Sequence, residues 1–335
     1  MGMGEQLLEF EKPVFELENQ IKELKEAQTG QSVDISEEIK ALQKKVGKLV
    51  QEIYGKLTPW ERVLLSRHPK RPHTVDYIKN ICPDFRELHG DRYFANDQTM
   101  MTGIGHIDGQ RVAIVGIEKG RKTQEKIKRN FGMPNPEGYR KALRVFELAS
   151  RFNLPVLTII DTPGAYPGIG AEERGQSQAI AENLAQVFSL KCPILAIVIG
   201  EGGSGGALGI GVADKVCMME YSVYSVISPE SCASILWSDP GKAEQAANAL
   251  NLGPKKAKEL GIIDEIIPEP PGGAHRNVEL AFKSVKDQIV KDLKVLTKIK
   301  PAKLQEMRFN KYRSMGNSTI LNGDDSDMPI FTTNS

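Results

Sequence analysis

The chain has 335 residues, 40% apolar and 26% charged, and its 44 Lys and Arg against 43 Asp and Glu leave a formal net charge of +1. That length suffices for one large core with an appendage, and the balanced charge gives no general reason to expect nucleic acid or an anionic membrane as a partner. No apolar run approaches a membrane span, Met1 to Phe10 lacks the apolar stretch of a secretory signal, and Cys82, Cys192, Cys217 and Cys232 form no C-x-x-C pair, so a metal on this chain and a disulfide framework are both unexpected.

In chain order, residues 1–58 read as a helical arm. Phe10, Val14, Leu17, Ile21 and Leu24 recur at helical spacing, a polar stretch follows, and the rhythm returns in Ile39, Leu42, Val46, Leu49 and Ile53. Two amphipathic helices joined by a polar loop predict an antiparallel hairpin whose seam packs on the body or on a partner chain. The body spans residues 59–300. Runs from Thr102 to Ile107 and Arg111 to Glu118 flank Asp108-Gly109, a hairpin signal. The basic run Lys119, Arg121, Lys122, Lys126, Lys128 and Arg129 reads as a solvated helix face; if it borders a pocket, it suits the phosphates of a nucleotide-like handle such as coenzyme A.

A helix is predicted from Pro136 to Phe152, a strand from Val156 to Asp161, a helix from Ser177 to Ser189 and a strand from Ile194 to Ile199. A second short helix ends near Val212, and strands follow at Lys215 to Met219, Tyr224 to Ile227 and Ile262 to Ile266. This order predicts α/β layering. Residues 301–335 read as a polar, disordered tail.

Two strands end in glycine-rich turns. The first is Asp161-Thr162-Pro163-Gly164-Ala165-Tyr166-Pro167-Gly168, and the second places seven glycines among residues 200–211. Ligands collect at the carboxyl ends of strands in α/β sheets, so the turns are expected to share a pocket. Punctuation of tight connections explains the first turn equally well. In the second, Gly202, Gly203, Ser204, Gly205 and Gly206 open a helix whose first N–H groups have no intrahelical acceptor, which suits a negative ligand atom.

Three familiar patterns overlap these turns. Gly200, Gly202 and Gly205 satisfy G-x-G-x-x-G with Glu220 twenty residues on, but a dinucleotide fingerprint belongs in the first βαβ unit of its domain. Gly202, Ser204 and Gly206 satisfy G-x-S-x-G, and Asp264 and His275 follow in hydrolase order, so a serine hydrolase using Ser204 is the serious rival. Against it, His275 lies in a Pro- and Gly-rich loop with no strand to place it. The D-x-x-G of GTPases at Asp161 lacks its phosphate loop, since Arg121 stands where a glycine is needed.

In combination, Arg129-Asn130-Phe131-Gly132-Met133-Pro134, the stretch from Ile160 to Gly168, Gly170-Ala171-Glu172-Glu173-Arg174-Gly175-Gln176, Gly200 to Leu208, Tyr224 to Glu230 and Ile266 to Pro270 strongly resemble the α subunit of bacterial-type acetyl-CoA carboxylase carboxyltransferase. The resemblance implies a crotonase-type fold, a spiral of ββα units. It implies transfer of a carboxyl group from carboxybiotin on a biotin carboxyl carrier protein to acetyl-CoA, giving malonyl-CoA for fatty acid biosynthesis. It implies as partner a zinc-containing β subunit in an α2β2 assembly, with biotin carboxylase on another chain, in a bacterial cytoplasm or a plastid stroma. By family position, Gly205 and Gly206 donate backbone N–H groups to the biotin oxyanion, Gly202 and Gly203 shape the approach, and Ser204 is a small helix-start residue. Gly164, Ala165, Tyr166, Pro167 and Gly168 then line the substrate side.

Overall fold

The computed structural model describes residues 7–28 and 35–316. After a 3-10 turn at Glu9–Glu11 come α1 (Lys12–Gln28), α2 (Ser36–Gly55), α3 (Pro59–Ser66), α4 (Thr74–Ile81), β1 (Arg86–Glu87), β2 (Met100–Ile107) and β3 (Gln110–Ile117). Then follow α5 (Thr123–Lys128), α6 (Pro136–Arg151), β4 (Val156–Thr162), α7 (Ile169–Glu173), α8 (Gln176–Ser189), β5 (Ile194–Gly203) and α9 (Ser204–Gly211). The chain continues through β6 (Lys215–Met219), β7 (Val223–Ser225), α10 (Pro229–Trp237), α11 (Ala243–Leu250), α12 (Pro254–Glu259), β8 (Glu265–Ile267), α13 (Val278–Leu296) and α14 (Pro301–Arg313).

One mixed sheet runs in the order β1-β2-β3-β4-β5-β6-β8, with β7 also paired to β5. The expected hairpin joins β2 to β3, antiparallel, through Asp108 and Gly109, both at positive φ as a tight hairpin turn requires. From β3 onward the pairs are parallel. Alternation along the strands fills both faces. Val156, Ile160, Ile194, Ala196 and Val198 join Tyr139, Val145 and Phe146 of α6 and Ile210 of α9 on one side. Leu157, Ile159, Leu195, Ile197 and Ile199 join Tyr77 of α4 and Phe282 and Ile289 of α13 on the other. A parallel sheet covered on both faces needs apolar residues at both parities, which is why β4 and β5 read as unbroken apolar runs.

The arm is an antiparallel pair. Gln28 at the end of α1 bonds Ser36 at the start of α2, and Glu11 before α1 accepts from Tyr54 near the end of α2. Its seam packs on the body, where Val14, Val50 and Tyr54 meet Leu65 and Tyr221.

The tail expectation needs correction. Residues 301–313 form α14, docked through fully buried Leu304 and Arg308. The Arg308 guanidinium pairs with Asp214 and donates to the carbonyls of Val187, Leu190 and Cys192, closing the end of α8. A charged composition hid a helix anchored by one satisfied cation. Residues 317–335, the remainder of the expected tail, lie outside the described residues.

Candidate functional site: two apposed glycine turns

Because β3, β4 and β5 are parallel, their carboxyl ends share one edge, and both glycine turns lie there as expected. They touch backbone to backbone. A Cβ on Gly206 would lie 2.4 Å from the Gly164 carbonyl carbon and 2.5 Å from the Ala165 nitrogen, and one on Gly203 would lie 2.2 Å from the Pro163 oxygen. No side chain larger than hydrogen fits at either position while the turns stay closed. Thr162 ties the first turn down: its hydroxyl accepts from the Gly164 N–H at 3.0 Å and lies 2.7 Å from the Gly132 carbonyl. Tyr166 donates its N–H to Pro134, its carbonyl accepts from Gln176, and its ring covers Gly168. Pro167 is exposed at the tip.

The second turn differs from its expected boundaries. Gly200, Gly202 and Gly203 belong to β5, which runs to residue 203, and α9 begins at once at Ser204. Ser204 is exposed and held at φ 51°, a left-handed conformation that re-aims the chain from strand to helix. No side chain caps α9, and no Cβ stands over the Gly205 and Gly206 amides. Its first-turn N–H groups therefore form a donor edge beside the Gly164 turn. Phe131 before Gly132, Ile169 after Gly168 and Leu208 on α9 are exposed apolar side chains in the neighbouring segments.

Beneath the turns lies a chain of charges that the sequence reading missed. Lys119, just past β3, reaches Asp161 of β4 at 2.8 Å and Glu201 of β5 at 2.7 Å. Glu201 also accepts from Arg67 at 2.5 Å, and Arg67 continues to Glu230 of α10 at 2.5 Å. Burial alone would lower the Lys119 pKa, but Asp161 and Glu201 more than offset it and raise the value. Burial would likewise raise Glu201, yet Lys119 and Arg67 hold it below the ordinary carboxylate range. Lys119 and Glu201 therefore remain charged at neutral pH. Assigning Lys119 to a solvated face was wrong, whereas residues 121–128 are indeed exposed. Its signal was position: Lys119 lies just past the end of a buried strand, and Asp161 and Glu201 lie within the last residues of theirs.

The rival patterns come apart in three dimensions. Gly200 and Gly202 lie inside a strand, not in the helix-opening turn a dinucleotide requires, and Glu220 accepts from the Glu269 amide. The hydrolase trio is dispersed: Asp264 accepts from the Val216 amide and from Lys311, while the His275 Nε2 meets Glu11 at 2.9 Å on the arm. Although it lies in a loop, the His275 side chain is buried, its ring 4.0 Å from that of His68. Glu11, His68 and His275 bring possible ligand atoms within 4.8 Å of one another. However, the His68 Nδ1 accepts the Lys70 amide proton, which leaves the proton of the neutral ring on Nε2, the nitrogen facing Glu11. That donor set describes a hydrogen-bonded joint between arm and body.

The family model for acetyl co-enzyme A carboxylase carboxyltransferase-like proteins matches residues 7–316. The acetyl-coenzyme A carboxylase carboxyl transferase subunit alpha of Xanthomonas campestris pv. campestris (strain B100) is 52% identical over 314 residues, covering 94% of this chain and 98% of that protein. Its namesake from Hydrogenovibrio crunogenus is 54% identical over 313 residues, covering 93% and 98%. Among solved structures, transcarboxylase 12S with methylmalonyl-coenzyme A and methylmalonic acid bound aligns with a TM-score of 0.54 at 18% identity, over 67% of this chain and 41% of that one, a likeness of fold. The sheet, the two turns and α9 thus sit on a crotonase-type carboxyltransferase fold, and the chain belongs to the acetyl-coenzyme A carboxylase carboxyltransferase α-subunit family.

Proposed function

We propose that this chain is the biotin-facing half of a carboxyltransferase that moves a carboxyl group from carboxybiotin, borne by a separate carrier protein, to acetyl-CoA. The carrying observation is the uncapped start of α9 wedged against the Gly164 turn, with backbone N–H groups where a catalytic side chain would otherwise be sought. Carboxybiotin, when bound, supplies the carboxyl group and a ureido oxygen on which negative charge develops. The residues fit that group: Gly205 is half-buried, a Cβ there would meet only Ile180 at 3.7 Å, and the glycine leaves that space beside the start of α9 free of side chain. The Gly205 and Gly206 amides would hold the developing charge, each donor being worth about 3 kcal/mol in a preorganised site. Gly202, Gly203 and the segment from Gly164 to Gly168 would shape the wall around it, with Ser204 as the turning residue and not a nucleophile.

The reading also supplies a partner. Phe131, Ile169 and Leu208, in the segments that carry the two turns and α9, are exposed apolar side chains, which supports a site completed by the β-type chain, the one that would hold the thioester of coenzyme A and the metal. Among the described residues no helix is long and apolar enough to cross a membrane. The quoted relatives are bacterial, which supports a bacterial cytoplasm over a plastid stroma for the assembly. The test is biotin-dependent decarboxylation of malonyl-CoA by the chain co-assembled with a β-type partner. Gly206→Val is expected to abolish turnover and Ser204→Ala to leave most of it. Inactivation by Ser204→Ala, or labelling of Ser204 by a serine-directed phosphonate, would refute the assignment.

A further inference from the structure

The strand ends that carry the two turns are not held together by an ordinary ladder. Regular pairing of β4 with β5 stops at Ile160 opposite Val198 and resumes only at Thr162 opposite Gly202, so one residue of β4 faces three of β5. The gap is filled by charge. Asp161, the single β4 residue opposite the bulge in β5, accepts the Glu201 N–H at 2.9 Å through its Oδ1, and the same oxygen receives Lys119. Gly200 makes this possible, since a Cβ there would lie 2.5 Å from that oxygen. Lys119 is itself pinned, its Cγ 2.6 Å from where a Cβ of Gly132 would stand.

We propose that Lys119, bridging Asp161 and Glu201, is a positioning residue that sets the spacing of the β4 and β5 ends and so aims the Gly205 and Gly206 amides. This deepens the carboxyltransferase reading and rests on it. One ammonium touches a carboxylate on each strand immediately before each glycine turn, where backbone pairing is missing. Without it, two buried carboxylates face each other with no cation between them: their repulsion costs stability, and nothing then fixes the separation of the strand ends that the amides depend on. Arg67 and Glu230 extend the brace to α10, so Glu201 is held from both sides.

The test uses the complete chain assembled with its β-type partner, reading kcat and KM for malonyl-CoA in biotin-dependent decarboxylation beside the melting temperature of the complex. Lys119→Met is expected to lower kcat about 100-fold with KM within about threefold, because misplacement of about 1 Å costs that much in an oriented site. Lys119→Met combined with Glu201→Gln removes the carboxylate repulsion. It should recover the melting temperature while kcat stays at least about tenfold down, because the bridge is still absent. A purely structural ion pair predicts that kcat returns with stability, and that result overturns the proposal. If Lys119→Met fails to assemble, Glu230→Gln on the accessible end of the brace serves: kcat lowered about threefold at unchanged melting temperature supports the role, and unchanged kcat overturns it. Activity that survives in Lys119→Met but is lost in Gly206→Val removes the positioning role alone, whereas a wild-type assembly without activity removes the carboxyltransferase reading and this role with it.

Discussion

The glycine-turn edge and the arm–body joint are built from opposite materials. At the edge, backbone lies on backbone, the side chains are absent by design of the sequence, and the charges beneath are ion pairs in which Lys119 and Glu201 are each held in the charged form. At the joint, side chains do everything: one Glu11 carboxylate serves Tyr54 and His275, with His68 stacked on the His275 ring. The first arrangement tolerates pH and forbids substitution. The second tolerates some substitution and is open to pH. A site that must present amides to a transient anion gains from the former, while a clamp on a helical arm needs only enough strength to keep the arm in place.

The sharpest way to break the comparison is to add one methyl group to each region. Gly203→Ala places a Cβ 2.2 Å from the Pro163 carbonyl oxygen, an atom of the backbone that cannot swing aside. Turnover is expected to fall about 100-fold or more through separation of the turns, with the fold retained by circular dichroism. Gly47→Ala, on the arm helix α2 where a Cβ would meet nothing within 4 Å, should instead raise arm stability slightly, by about 0.5 to 1 kcal/mol. Equal losses in both would erase the distinction.

The same contrast explains what could be read from the sequence. Apolar runs and glycine punctuation placed β2 to β6, α6, α8 and the arm to within a few residues, since period and turn chemistry are local properties. Gly205 and Gly206 were legible because seven glycines in residues 200–211 are rare without a reason. Lys119, Glu201 and Arg67 were not, because their partners lie 82 and 134 residues apart and nothing in their neighbourhood distinguishes a buried lysine from a solvated one. Arg308 was misjudged for the same reason: a charge in polar sequence looks solvated until the fold supplies its acceptors.

Next in size is the joint itself. Glu11→Gln leaves Tyr54 and His275 competing for a weaker acceptor in a buried place, a loss of about 1 to 3 kcal/mol. Hydrogen exchange along α1 should accelerate while exchange in β4 and β5 does not change. Uniform acceleration would mean that arm and body unfold as one unit.

Acid should achieve part of this without mutation. Burial, then the His275 ring, and then Lys70 and Arg71 push the His68 pKa well below its ordinary 6.5, against the pull of Glu11. The docked form therefore refuses a proton that the released form accepts, so docking is strongest above pH 6.5 and weakens as pH falls below it. Glu11 adds to the loss only lower down. Burial would raise its pKa, but bonds from His275 and Tyr54 hold it below the ordinary 4.5, and docking energy disappears as it protonates. Limited proteolysis of residues 7–28 should speed up between pH 7 and pH 5, with β4 and β5 unaffected. His68→Gln, which carries no titrating ring, should flatten that dependence.

The smallest effect is expected at the residue that looked most like a catalyst. Ser204 is exposed, held at φ 51°, and bonded to neither Asp264 nor His275, both of which are engaged elsewhere. Ser204→Ala removes a hydroxyl but keeps the backbone turn, so turnover should change by less than about threefold, within the reach of a small strain difference. Ser204→Gly should relieve the left-handed strain yet loosen the turn in the same step, since glycine adds freedom exactly where the strand must stop and α9 must start. A melting temperature that rises while kcat falls in Ser204→Gly would show that the strained serine serves the aim of the amides, the one contribution its position allows.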